Sequence, residues 1–147
     1  MATMVEMLSN DNKLQTHWAK RLIALLIDVA IVWGPIYLIM ALVGWMLGFA
    51  WFMGAVIIGF VWFLYSAFFE YAAGATIGKM ILGLKVVPTE GKLELFNAMM
   101  RNLVKIFALF LAVDFILTLL TDTTDARQRF TDRMAKTTVI EQKGMLG

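Results

Sequence analysis

Cysteine is absent from the 147 residues, and histidine occurs once, at His17. The first absence excludes a disulfide scaffold, a cysteine-based zinc site, thiol catalysis and palmitoylation. The second excludes a histidine metal cluster. Charge is scarce: 16% of residues are charged and 61% are hydrophobic, against about 25% and 45–50% in a soluble domain. The apolar excess lies in long blocks, so the chain belongs in a bilayer, and its length suggests one domain, 1–147. Residues 1–16 form a polar tail without the apolar core and small-residue cleavage site of a leader. The first span is therefore expected to act as an uncleaved signal anchor. "GATIGK" is one residue too short for a phosphate loop, and Met80 stands where a hydroxyl residue would bind magnesium. No nucleophile–base pair stands out. The expectation is no enzyme activity, no cofactor and no metal. The eleven methionines are scattered apolar filler.

What the chain does contain is apolar runs broken by single charges. Residues 22–44 make a first span of roughly 23 residues, about 34 Å as a helix, enough for a hydrocarbon core of about 30 Å. Residues 52–69 make a second, ending at Glu70. Between them, "GWMLGFAW" reads as a tight turn, so the two spans form a helical hairpin. Residues 74–95 change character: "ILGLKVV" and "KLEL" flank turn signals at Pro88–Gly91, which predicts a small β-hairpin outside the hydrocarbon. A helix starts near Phe96, and Asn97, Arg101 and Lys105 recur every fourth residue as a polar stripe at the interface. "IFALFLAVDFILTLL" continues a third apolar block, 103–120, which either spans, with Lys105 snorkelling, or is re-entrant. A polar tail, 121–147, carries a short strand near Thr137–Ile140. The fold class is thus an all-α membrane protein with three apolar helical segments and a small cytoplasmic β-hairpin.

Lysine and arginine placement sets the orientation. Three precede the first span (Lys13, Lys20, Arg21), four lie in 70–101 (Lys79, Lys85, Lys92, Arg101), and the intervening turn has none. The positive-inside rule puts the N-terminus and 70–101 in the cytoplasm. The basic tail conflicts with three full spans, and its charge density points to an internal tail. Basic residues at such a surface contact anionic lipid headgroups rather than nucleic acid.

Asp28 is the strongest chemical signal. An aspartate at the centre of a span costs about 2.5–3.5 kcal/mol on insertion scales and usually faces a bundle interior. Arg21 lies seven residues earlier, on the same helix face within about 20° but about 10.5 Å away along the axis. Two readings stay open. Asp28 either locks the fold, through a neighbouring helix or Arg101 or Lys105, or moves a proton or monovalent cation. Asp114 is a second intramembrane carboxylate, with snorkelling near the block's end as its bland reading. Glu70 at a span end is ordinary.

These residues together resemble the RDD family, named for one arginine and two aspartates. "KRLIALLID" supplies Arg21 and Asp28, and "RQRFTDRMAKTTVI" supplies Asp132. "GATIGKMILGLKVV" matches the family's glycine-lysine turn through Gly78 and Lys79, and "MMRN" its Arg101-Asn102 step. The likeness covers about residues 17–141. One departure is Ala135-Lys136-Thr137, where lysine takes the family's glycine position. The resemblance implies a multi-pass protein of the cell membrane, transport-related through cation/proton exchange. Arg21, Asp28 and Asp132 would be its coupling residues, with Glu70, Gly78, Lys79, Arg101 and Asp114 in support. With so few helices, a homo-oligomer is expected to complete a pathway. The alternative is a non-transporting accessory protein that holds a partner or anionic lipid.

Overall fold

A computed structural model describes residues 3–43, 49–122 and 125–142. Helix α1 (Met4–Asn10) opens it, where a loose tail was expected. The reason is a capping box: Thr3 accepts from the Glu6 amide and the Glu6 carboxylate accepts from the Thr3 amide, which satisfies two orphan donors. Asp11 then caps α2 (Asn12–Val43) by accepting from the amides of Lys13 and Leu14. The residues just before the first span and the span itself are therefore one continuous helix. The expected tight turn at 44–51 falls largely outside the described residues. Helix α3 (Phe49–Ala73) follows.

Two helices are long and apolar enough to cross a membrane, Asn12–Leu42 and Met53–Ala73. Their outward faces carry exposed Leu38, Ile39, Leu42, Ile57, Phe60 and Phe68. The third apolar block does not run straight. It consists of a 3-10 turn (Leu103–Ile106) and α6 (Ala108–Leu120), and the arm formed by α5 (Leu95–Asn102) with that turn is bent by 111° from α6. The turn packs against α3 at Gly59, where any methyl group would strike the Ile106 carbonyl. Only glycine lets the two backbones meet there.

The expected local β-hairpin within 74–95 does not form. Strand β1 (Leu84–Pro88) pairs antiparallel with β2 (Thr137–Glu141), with Val86 opposite Val139. "KLEL" instead leads into α5. The alternation is real on both strands: Leu84, Val86 and Val139 are buried against Ala24 of α2, with Leu82 and Leu93 beside them. A lone two-stranded sheet is marginal in water, and this face of α2 supplies the packing it needs. Because β1 follows α3 and β2 lies in the tail, their pairing puts both chain segments on one side of the molecule. Short helices α4 (Ile77–Ile81) and α7 (Phe130–Met134) precede the two strands. Lys136 follows α7 with φ of 51°, the left-handed bend that a glycine would adopt without strain.

Candidate functional site

The polar residues of the apolar blocks converge at the end of the bundle that carries the sheet. Four carboxylates anchor it, all nearly or fully buried: Asp28, Glu70, Asp114 and Asp132. Each ties together a different set of elements.

Asp28 holds α2 to α3 and α4. It accepts from the Tyr65 hydroxyl at 3.0 Å, the Thr76 hydroxyl at 2.5 Å and the Gly78 amide at 2.9 Å. Gly78 is required by the close approach: a methyl there would collide with the Ala24 carbonyl and meet Asp28 itself. No ion pair within 4.0 Å reaches Asp28 among the described residues, so the expected pairing with Arg101 or Lys105 is replaced by three neutral donors. Arg21 shares its helix face but turns to the tail.

Asp132 is the hub there. Arg21 reaches it at 2.8 Å and Arg101 at 3.0 Å, and Arg129 stands 3.6 Å away. Arg21 also donates to the Arg127 carbonyl and lies over the Trp18 ring. Burial alone would raise the Asp132 pKa, but the guanidinium groups of Arg101, Arg21 and Arg129 outweigh it and hold the carboxyl well below its ordinary range. The same proximity, chiefly to Asp132 and then Asp114, overcomes the effect of burial on Arg129 and raises its pKa.

Glu70 is not an ordinary span-end carboxylate. It is fully buried, paired with Lys79 and, at 3.0 Å, with Arg101, and it accepts from Asn102 at 2.6 Å. Lys79 therefore sits against Glu70. Burial pushes its ammonium down to about 8, against the pull of Glu70. Asp114 does not snorkel either. It is buried, accepts from the Thr131 amide at 2.9 Å and hydroxyl at 3.1 Å, and has Arg129 at 3.6 Å.

The stripe of Asn97, Arg101 and Lys105 was expected at the interface, but Arg101 and Lys105 face inward and are buried. Arg101 also donates to Thr137 of β2. Lys105 donates to the Ser66 hydroxyl at 2.7 Å and sits 5.3 Å from the Trp62 ring centroid. No carboxylate lies within 4.0 Å of it among the described residues.

Sequence reasoning thus named all four carboxylates, Arg21, Lys79 and Arg101. It named Lys105 only as a stripe residue or a partner of Asp28, and Asn102 only in the family's motif step; it left out Arg129 and the neutral partners Tyr65, Thr76 and Ser66. The four-residue spacing of Arg101 and Lys105 was the available signal for Lys105. Arg129 was one of several basic tail residues and had none.

Beside this lattice lies a cavity of about 520 Å³. Four cations face it (Arg21, Lys79, Lys105 and Arg129) and two carboxylates (Asp28 and Asp114). The Arg129 Nε is buried with no hydrogen-bond partner. Its carboxylate neighbours at 3.6 Å are beyond hydrogen-bond range. Over the whole lattice five cations (Arg21, Lys79, Arg101, Lys105, Arg129) meet four carboxylates, one positive charge in excess. Such a wall attracts an anion and repels a cation.

No curated protein and no solved structure matches the chain. The model of the RDD family matches residues 16–136, which include Arg21, Asp28 and Asp132. With two apolar helices long enough to cross a bilayer and a match over most of its length, this small membrane protein belongs to the RDD family.

Proposed function

We propose that this protein is a binding component of the cell membrane that holds an anionic group in its buried polar end, and that it is not an enzyme. The observation that carries this reading is the cavity lining, where four cations outnumber two carboxylates. Buried positive charge in excess of its partners is costly, and an anion would offset it. The carboxylates, by contrast, are already engaged, which leaves little for an incoming cation.

In this reading α2 and α3 cross the bilayer as a hairpin, and the bent α5–α6 unit dips in and returns. Support for the returning path comes from the β1–β2 pairing, which keeps the tail on the side of residues 84–88. The lysines and arginines of that side make it the cytoplasmic one. Single cysteines at positions 85 and 138, in this cysteine-free chain, are expected to be labelled from the same, cytoplasmic side. Labelling from opposite sides would refute the path.

The anion site is tested by calorimetric titration of detergent-purified protein with inorganic phosphate. Saturable binding that weakens in Lys105→Gln is expected; no heat of binding would sink the reading. Cation/proton exchange stays as a second reading because Asp28 borders the cavity without a cation in ion-pair range. Sodium-driven proton flux in sealed vesicles, lost in a folded Asp28→Asn protein, would favour exchange over binding.

A further inference from the structure

The cavity has a second property that a site for a free anion would not need. Beside the charged residues, its lining includes apolar side chains, Leu22 and Leu25 of α2 and Leu111 and Phe115 of α6. Leu22 is 57% exposed and Phe115 is 46% exposed. At one end the Trp18 and Phe115 rings meet edge to face, with centroids 5.9 Å apart. The lining therefore includes outward-facing apolar side chains from both α2 and α6.

Resting on the anion-site reading above, we propose that the cavity takes the headgroup of an anionic glycerophospholipid, drawn in laterally between α2 and α6. The phosphodiester would lie among Lys105, Arg129 and Arg21, and the acyl chains would leave along Leu22 and Phe115. Charge selects this class. By formal charge the lattice has one more cation than carboxylates, and a phosphodiester carries one negative charge, so the formal charges of cluster and ligand cancel. Lys105 makes no ion pair among the described residues and lines the cavity together with Arg129, so the non-bridging oxygens have two cations to approach. The volume, about 520 Å³, suits a headgroup with its glycerol and lies within the range of about 300–1,000 Å³ common for ligand sites. Depth also agrees. Trp18 and Lys20 stand at the start of α2, where amphipathic rings and basic side chains mark the headgroup level.

The test uses the full chain, delipidated in detergent and examined by native mass spectrometry. The probes are dioleoyl phosphatidylglycerol, dioleoyl phosphatidylcholine, oleate, glycerol 3-phosphate and inorganic phosphate. One retained phosphatidylglycerol is expected, bound about tenfold or more tightly than phosphatidylcholine and than either soluble phosphate. Lys105→Gln is expected to remove that preference. Ala112→Trp, which fills the mouth from α6, should weaken lipid binding and leave inorganic phosphate binding as it was. Should either variant fail to fold, the wild type still decides: dihexanoyl phosphatidylglycerol should bind more weakly than the dioleoyl form.

Inorganic phosphate binding as tightly as phosphatidylglycerol would overturn the lipid assignment and leave the anion site standing. Oleate displacing phosphatidylglycerol at equal concentration would overturn the phosphodiester assignment. Phosphatidylglycerol retained equally by the wild type and both variants would mean annular lipid only, and would overturn the site. Failure of every anion to bind would overturn the anion-site reading itself.

Discussion

The two ends of α2 do opposite work. From Arg21 to Asp28 its inward face is built into a lattice of ions and hydrogen bonds that reaches α3, α4, α5 and α7. Toward its other end, Leu38 and Leu42 are 64% and 79% exposed. One helix thus has an end held by specific partners and an end whose apolar side chains face outward, where a bilayer would cover them. The lesson is that apolar bulk chooses the medium, whereas the charges choose the fold. Lipid is as apolar as leucine, so burying leucine against a neighbour in a membrane adds little drive. A buried ion without its partner has no such indifference.

The sharpest way to break this contrast is to change one residue at each end. Asp132→Ala leaves buried Arg21 without a carboxylate and takes one of two from Arg101 and Arg129, and is expected to cost about 3–5 kcal/mol. Leu42→Ala should stay within about 0.5 kcal/mol. Thermal unfolding in detergent, followed by tryptophan fluorescence, compares them. Equal effects would mean the charges are not what holds the polar end. A pH series gives the same test in one protein. Asp132 has a pKa held well below its ordinary value of 3.8. The unfolded chain then binds the proton first, so stability from this group is complete above about pH 4 and falls as pH drops below it. Asp132→Asn should lose that acid-side slope.

A smaller effect separates two glycines. Gly78→Ala drives a methyl into Ala24 and Asp28 where α4 meets α2, and overpacking of this kind costs about 1–3 kcal/mol. Gly34→Ala, on the exposed stretch of α2, meets nothing within 4 Å and should gain about 0.5–1 kcal/mol from helix propensity. Opposite signs in the same unfolding assay are the expected result. The same sign would mean α4 has room to retreat from α2.

How much of this was legible follows the same divide. The two long helices could be read from apolar run length, and Asp28 and Asp114 from their cost in such runs, whereas Asp132 came only through the family resemblance and Glu70 looked ordinary. The sheet could not. Turn signals at Pro88–Gly91 favour a local partner, but the true partner of Leu84–Pro88 is Thr137–Glu141, beyond α5 and α6. Alternation tells a strand which face is buried, not which strand lies beside it. The partners of Asp28 were equally hidden. Helical phase put Arg21 on its face correctly, but the rise of the helix separates the two into different layers, and Thr76 and Gly78 arrive from a segment that looked like a loop. Lys136 was visible as a departure from the family's glycine. Its φ of 51° shows that the bend survives the substitution. Lys136→Gly is therefore expected to stabilise the protein by up to about 1 kcal/mol, measured as a rise in Tm. A fall in Tm would mean that the lysine side chain contributes more than the bend costs.

The smallest expected effect contrasts two adjacent residues that reach the same tail. Lys20 donates to Glu141 at 2.6 Å at the surface, while Arg21 donates to Asp132 at 2.8 Å in the interior. Glu141 has its pKa lowered, first by the hydrogen bond from Lys20, and its side chain is 41% exposed. Water screens such a pair, and holding two side chains in one geometry costs entropy, so Lys20→Gln should cost only about 0.2–1 kcal/mol. The cost should shrink further when ionic strength rises from 0.01 M to 1 M, since the screening length falls from about 30 Å to about 3 Å. Arg21→Gln should cost several times more and respond less to salt, because the Arg21 side chain is largely buried and its partner Asp132 fully so. The two single variants and the matching Glu141→Gln and Asp132→Asn cycles, run at both salt concentrations, separate coupling from simple loss of each side chain. A salt-sensitive Arg21–Asp132 coupling would show that water reaches the lattice, and the polar end would then be a solvated cleft that differs from the surface pair only in degree.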